Sequence, residues 1–185
     1  MCKSSENSSL PTSSIDTTSS VNVNALPQVT YAAANPLMQI AINEARIGIH
    51  HNHGGPFGSV ITKNGRIVGQ GHNMVVKNND STCHGEVSAI RNAEQNLSTF
   101  DLSGCELYTT GEPCPMCLAA CKWANIEKVY YGCTIEDNSI IGFRDKPLDD
   151  MFGGRSAFAD YLIEIDRDAC LQLFDEYNHL NGTKY

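Results

Sequence analysis

His84 is followed two residues later by Glu86, and Cys114 and Cys117 bracket Pro115-Met116 in the segment running from Glu112 to Cys117. One imidazole and two thiolates give three protein ligands, and a tetrahedral zinc ion then keeps its fourth position for water. Zinc in an open site of this kind lowers the pKa of that water toward ~7. A glutamate beside the ligand histidine can carry the proton the water gives up. The expected chemistry is therefore hydrolytic, with Zn2+ as cofactor, His84, Cys114 and Cys117 as its ligands and Glu86 as proton carrier. Each half alone is ambiguous, because a lone C-x-x-C also serves as a redox pair or as half of a structural zinc site. A structural site would take a fourth protein ligand, for which Cys83, Cys121 and Cys133 are the candidates.

These residues need elements that bring them together. Cys114 and Cys117 open a segment that predicts a helix over 114–124. Positions i and i+3 project from one helix face, so both sulfurs can reach one ion. Pro115 suits the first turn, where its missing N–H is no loss, and a helix N-terminus favours thiolate over thiol. His84 opens an earlier helix that begins near Thr82 or His84 and continues through Val87, Ile90 and Ala93. Inside a regular helix His84 and Glu86 would be turned roughly 200° apart, so spacing alone does not aim both at one metal.

The remaining pattern supplies a scaffold. Asn35-Pro36 predicts a capped helix start, apolar residues recur at helical spacing from Leu37 to Ala45, and Gly48 is the expected end. Gly58–Thr62 and Arg66–Gly71 predict strands joined by a Lys63-Asn64-Gly65 hairpin turn. Strands over 106–110, 128–132 and 162–165, and a helix over 167–177, complete an alternation that implies an α/β fold with a mixed five-stranded sheet. His50, His51 and His53 lie in a loop tract without a cysteine or carboxylate partner, which suits a solvated connection better than a second metal.

With 185 residues, 13 basic and 21 acidic side chains and a formal charge of −8, the chain suits one domain and lacks the basic footprint of a nucleic-acid partner. No apolar run follows the first residues and no stretch approaches ~20 apolar residues, so neither a secretory leader nor a membrane span is expected. The eight cysteines then fit a reducing, cytoplasmic setting, with Cys105, Cys121, Cys133 and Cys170 as small buried hydrophobes. Residues 1–29, rich in Ser, Thr and Asn, bury too little apolar surface to order themselves and are expected to form a disordered tail before a domain over 30–185.

Taken together, His84-x-Glu86 and Pro113-Cys114-x-x-Cys117 form the zinc-deaminase signature. From about Asn35 onward the chain resembles the cytidine-deaminase superfamily, and within it the guanine deaminases and their guanosine-specific plant relatives. The further matching residues are Gly54-Gly55-Pro56-Phe57-Gly58, His72-Asn73-Met74, Val87 to Arg91, Leu118-Ala119, Trp123-Ala124, Gly142-Phe143, Asp145 and the terminal Tyr185. The resemblance implies a three-layer α/β/α sandwich, a non-helical start that lets His84 and Glu86 share the metal, and a homodimer. It also implies that the segment over about 160–185 crosses to the partner subunit as a lid. By the same likeness Asn73 hydrogen-bonds the base, Phe57, Gly85 and Trp123 surround it, Asp145 assists proton transfer or grips the amine, and Tyr185 belongs to the lid. Without the resemblance, Phe57 and Trp123 also suit core aromatics, Asn73 a turn and Asp145 the surface.

Two departures bear on the substrate. Gly85 replaces the usual alanine, as in the fungal cytosine deaminases, and Arg144 stands where the guanine enzymes commonly carry a first aspartate. The expected reaction is hydrolysis of guanine to xanthine and ammonia, a small-molecule reaction without nucleic acid or membrane. Guanosine, cytosine and tRNA adenosine remain open as alternatives.

Overall fold

The computed structural model describes residues 32–153 and 155–185; the expected tail over 1–29 lies outside the described residues. Five strands form one sheet in the order β2-β1-β3-β4-β5. They are β1 (Gly58–Lys63), β2 (Arg66–His72), β3 (Cys105–Gly111), β4 (Lys128–Cys133) and β5 (Leu162–Glu164). β1 runs antiparallel to β2 and β3, while β3, β4 and β5 are parallel, so the sheet is mixed as expected. The hairpin turn is Asn64-Gly65, both at positive φ (51° and 73°), the backbone a two-residue turn needs to match strand twist.

Seven α-helices accompany the sheet among the described residues: α1 (Pro36–His50), α2 (Val75–Asn78), α3 (Gly85–Leu97), α4 (Pro115–Trp123), α5 (Ile135–Ile140), α6 (Asp145–Met151) and α7 (Arg167–His179). Alternation along the strands sorts the core into two layers. Val60 points to α1 and α7, joining Met38, Ile42, Ala45, Leu173 and Phe174. Ile61, Leu107 and Val129 point to α3 and α4, joining Ala89, Ile90, Leu118 and Cys121. The result is the three-layer sandwich that the family likeness implied.

Three local expectations change. α1 does not stop at Gly48 but continues to His50; the glycine makes room for the His72 ring, since a Cβ there would come within 2.7 Å of it. The histidine tract is not merely solvated: His53 Nδ1 meets His72 Nε2 at 2.8 Å, His72 Nδ1 meets Glu44 at 3.1 Å, and His50 meets Glu176 at 2.7 Å. The short helices α2, α5 and α6 carry no periodic apolar face and were not expected. α5 is stabilised by a capping box between Thr134 and Asp137.

Candidate metal centre and base-binding cavity

Two helix starts converge on one point. His84 is the N-cap of α3, with extended backbone (φ −71°, ψ 159°), and Cys114 is the N-cap of α4, also extended (φ −62°, ψ 166°). Cys114 therefore precedes the helix in which it was expected, with Pro115 as the first helical residue. Neither side chain caps its own helix, which leaves both free to serve as ligands. The extended residue at 84 also resolves the orientation problem, since His84 stands outside the helix that Glu86 enters.

Cys114 Sγ and Cys117 Sγ lie 3.7 and 3.5 Å from His84 Nδ1. Donors on a tetrahedral zinc ion, with ordinary Zn–S and Zn–N bonds, stand about 3.6 Å apart, so the three atoms fit that metal. They form the one His/Cys/Asp/Glu group of this kind among the described residues. The helix starts add positive potential that favours thiolate. A hydrogen bond from Cys117 and the neighbouring His84 hold the Cys114 thiol down to about 4. Cys83 and Cys121 make no part of this group, and all seven cysteines of the described residues are free of disulfides.

Glu86 is buried beside the ligands, and desolvation pushes its carboxyl up to about 7. A group with that pKa can both take and release a proton at neutral pH. Asp145, at the start of α6, is likewise raised by burial and by the Cys114 charge, and Asn138 Nδ2 donates to its Oδ2 at 2.8 Å.

A cavity of about 240 Å³ opens onto this group, with Phe57, Asn73, His84, Glu86, Cys114, Asp145 and Tyr185 in its wall. Phe57 is fixed by its neighbours: Thr110 Oγ1 accepts from Gly58 N–H and donates to the Pro56 carbonyl, at 3.1 and 2.9 Å. Its ring meets Phe143 edge-on at 4.8 Å. Asn73 is fully buried. Its Oδ1 accepts from Val75 N–H at 3.1 Å and from the Tyr185 hydroxyl at 2.6 Å. A backbone N–H can only donate, so the amide orientation is determined and Nδ2 is the atom left without a partner.

Two expected base contacts are absent from the wall. Trp123 ends α4 and is 87% exposed; six residues beyond Cys117 it has turned through roughly 600°, or 240°, onto the face away from the metal. Gly85 stands behind Phe57, whose carbonyl would lie 2.8 Å from a Cβ at that position. That close approach accounts for a residue without a side chain at this position. Conversely, Glu112, Asn138, Phe143 and Arg144 line the cavity although no role was read for them. Asn138 and Arg144 lie on or beside short helices without a pattern that points inward. Tyr185 reaches the cavity of its own chain.

Residues 32–133 match the family described as the cytidine and deoxycytidylate deaminase zinc-binding region. The guanine deaminase of Bacillus subtilis is 46% identical over 105 residues, covering 57% of this chain and 67% of that protein. The tRNA-specific adenosine deaminase of Aquifex aeolicus is 36% identical over 114 residues, covering 60% of this chain and 75% of that one. A solved structure of guanine deaminase from Nitrosomonas europaea is 31% identical with a TM-score of 0.69, covering 86% of this chain and 91% of that one. With more than half of its length matched and three metal ligands gathered at one cavity, the chain belongs to the cytidine and deoxycytidylate deaminase zinc-binding family and is a zinc-binding hydrolytic deaminase.

Proposed function

We propose that this chain hydrolyses guanine to xanthine and ammonia. The observation that carries the reading is the buried, unpartnered Nδ2 of Asn73 in the same cavity as the Asp145 carboxylate. One is a donor in need of an acceptor and the other an acceptor for an amine. A purine with ring acceptors beside an exocyclic amino group satisfies both. The likeness to the Nitrosomonas guanine deaminase extends over most of the chain, which also supports this base.

His84, Cys114 and Cys117 would hold the zinc, which when bound supplies the Lewis acidity that readies water for attack at neutral pH. Glu86 takes a proton from that water and passes it to a ring nitrogen of the base, then assists departure of ammonia. Asn73 and the Phe57 ring orient the base, and Asp145 receives the N–H of its amino group. Tyr185 closes the cavity and holds the Asn73 amide in place. Water adds at the carbon bearing the amino group and ammonia leaves, so the atoms balance.

The formal charge of −8 weighs against a tRNA substrate, which needs compensating cations. The working unit we propose is a cytoplasmic homodimer whose segments over about 160–185 stay with their own chains, because β5 pairs with β4 of the same chain and Tyr185 bonds Asn73 of the same chain. Trp123 and Phe100, both more than 80% exposed, share one surface groove with Ala119 and Lys122, and an apolar face of this kind suits a subunit contact. Unpaired thiols suit a reducing compartment.

The test is direct. The zinc-loaded protein is incubated separately with guanine, guanosine, cytosine, adenine and cytidine, and ammonia is measured. Release from guanine at least about 100-fold faster than from the others is expected; release from cytosine alone overturns the reading.

A further inference from the structure

Asn138 performs no step in the mechanism above. It lies on α5, 1% exposed, in the wall of the same cavity. One end of its amide donates to Asp145 Oδ2 at 2.8 Å. The other end, Oδ1, is buried without a hydrogen-bond partner and sits over Gly111, where a Cβ would come within 3.1 Å of it. A buried acceptor left unpaired is destabilising, and a leucine, of similar size, would occupy the place without that penalty. Packing therefore does not account for an amide here. Reversing the amide would set its oxygen against the Asp145 carboxylate, so the donor must face Asp145.

The helix that carries Asn138 is anchored on both sides. Ile135 N–H donates to Glu112 Oε2 at 3.0 Å, and Glu112 stands two residues before Cys114. Arg167, at the start of α7, grips Asp137 through two bonds of 2.8 and 2.6 Å. α5 is thus a bracket between the segment bearing two metal ligands and the carboxylate of Asp145.

We propose that Asn138 is a positioning residue for the deamination: its amide N–H holds the Asp145 carboxylate in the one orientation that receives the amino group of the base. This rests on the deaminase reading of the cavity but not on the choice of guanine. The residue has traded a buried unpaired oxygen for control of its neighbour.

The experiment compares zinc-loaded wild type with Asn138→Leu, Asn138→Asp, Asp145→Ala and the double variant Asn138→Leu/Asp145→Ala. Zinc content, melting temperature, and kcat and KM from ammonia release are measured. Asn138→Leu is expected to keep its zinc and melt no lower than wild type. Its kcat should fall about 10- to 100-fold, as for loss of a hydrogen bond to a charged group, with KM moved less than about threefold. Asn138→Asp, equal in shape but carrying a like charge, should fall further. In the Asp145→Ala background the leucine should cost nothing more. Additive losses, or an Asn138→Leu enzyme within about twofold of wild type, overturn the proposal.

Should guanine be inert while another base of the panel reacts, the same comparison on that base decides the role of Asn138, and only the choice of guanine falls. Should no base react, crystal structures of zinc-loaded wild type and Asn138→Leu decide it. A displaced or disordered Asp145 side chain in the variant supports the proposal, and an unmoved one overturns it.

Discussion

The hydroxyl of Tyr185 donates to Asn73 Oδ1 at 2.6 Å and accepts from Gly55 N–H at 3.0 Å. The last residue of the chain thereby joins Val75 N–H in holding the oxygen end of a buried amide away from the cavity. Tyr185→Phe keeps the ring, which packs edge-on against Phe143 at 5.2 Å, and removes only the two bonds. We expect kcat/KM for the base to fall about 3- to 10-fold while zinc content stays unchanged. Steady-state ammonia release measures this, and an unaltered rate would show that Val75 N–H alone orients Asn73.

Glu86→Gln keeps the shape of the buried side chain but cannot exchange a proton. Turnover should drop by about 100- to 10,000-fold with zinc retained, as atomic absorption would register. Cys114→Ser should instead lose the metal; a variant with full zinc content would remove Cys114 from the ligand set.

Gly85→Ala tests the close approach behind Phe57. The Phe57 carbonyl that its methyl would meet also accepts from Asn73 N–H at 2.8 Å, so it cannot retreat without moving a cavity residue. A loss of about 1–3 kcal/mol in unfolding free energy is expected, together with a raised KM. Chemical denaturation checks the first, and an unchanged midpoint contradicts the steric account.

Glu176 joins α7 to α1 through Arg46 Nε at 2.9 Å and His50 Nε2 at 2.7 Å. Burial would raise its carboxyl, but the bonds to Arg46 and His50 outweigh it and hold the pKa below the ordinary glutamate value. A depressed folded pKa adds stability that is present above the unfolded value of ~4.3 and is lost as pH falls through the folded one. Glu176→Gln should therefore lower the melting temperature at pH 7 and flatten its decline below about pH 5. Calorimetric scans across that range measure both, and parallel wild-type and variant curves would dismiss the ion pair.

Trp123 lies on the exposed face of α4 and not at the base. Trp123→Ser should leave KM for the base within about twofold and, if the proposed homodimer meets through this face, shift the protein toward monomer, since loss of a large aromatic from an interface costs about 2 kcal/mol or more. Light scattering at several concentrations reads the second effect. A KM raised tenfold at unchanged mass would return Trp123 to the cavity.

The metal ligands were legible because their chemistry depends on residue type and short spacing: an imidazole, two thiols three residues apart and a proline that opens a helix. The long strands and helices were legible for a similar reason, since burial of one face imposes a period on the chain. What the short helices do was not, because α5 and α6 have too few residues to show a period. The role of Asn138 follows only from its neighbour Asp145, and that of Gly85 only from a carbonyl that the fold brings to it from the loop before β1. Trp123 shows the converse, since an aromatic beside the metal motif in sequence is carried away from it by the turn of one helix. Local sequence determined which groups could bind the metal and move a proton; tertiary structure decided which of the other side chains line the cavity beside them, because those meetings are between segments far apart along the chain.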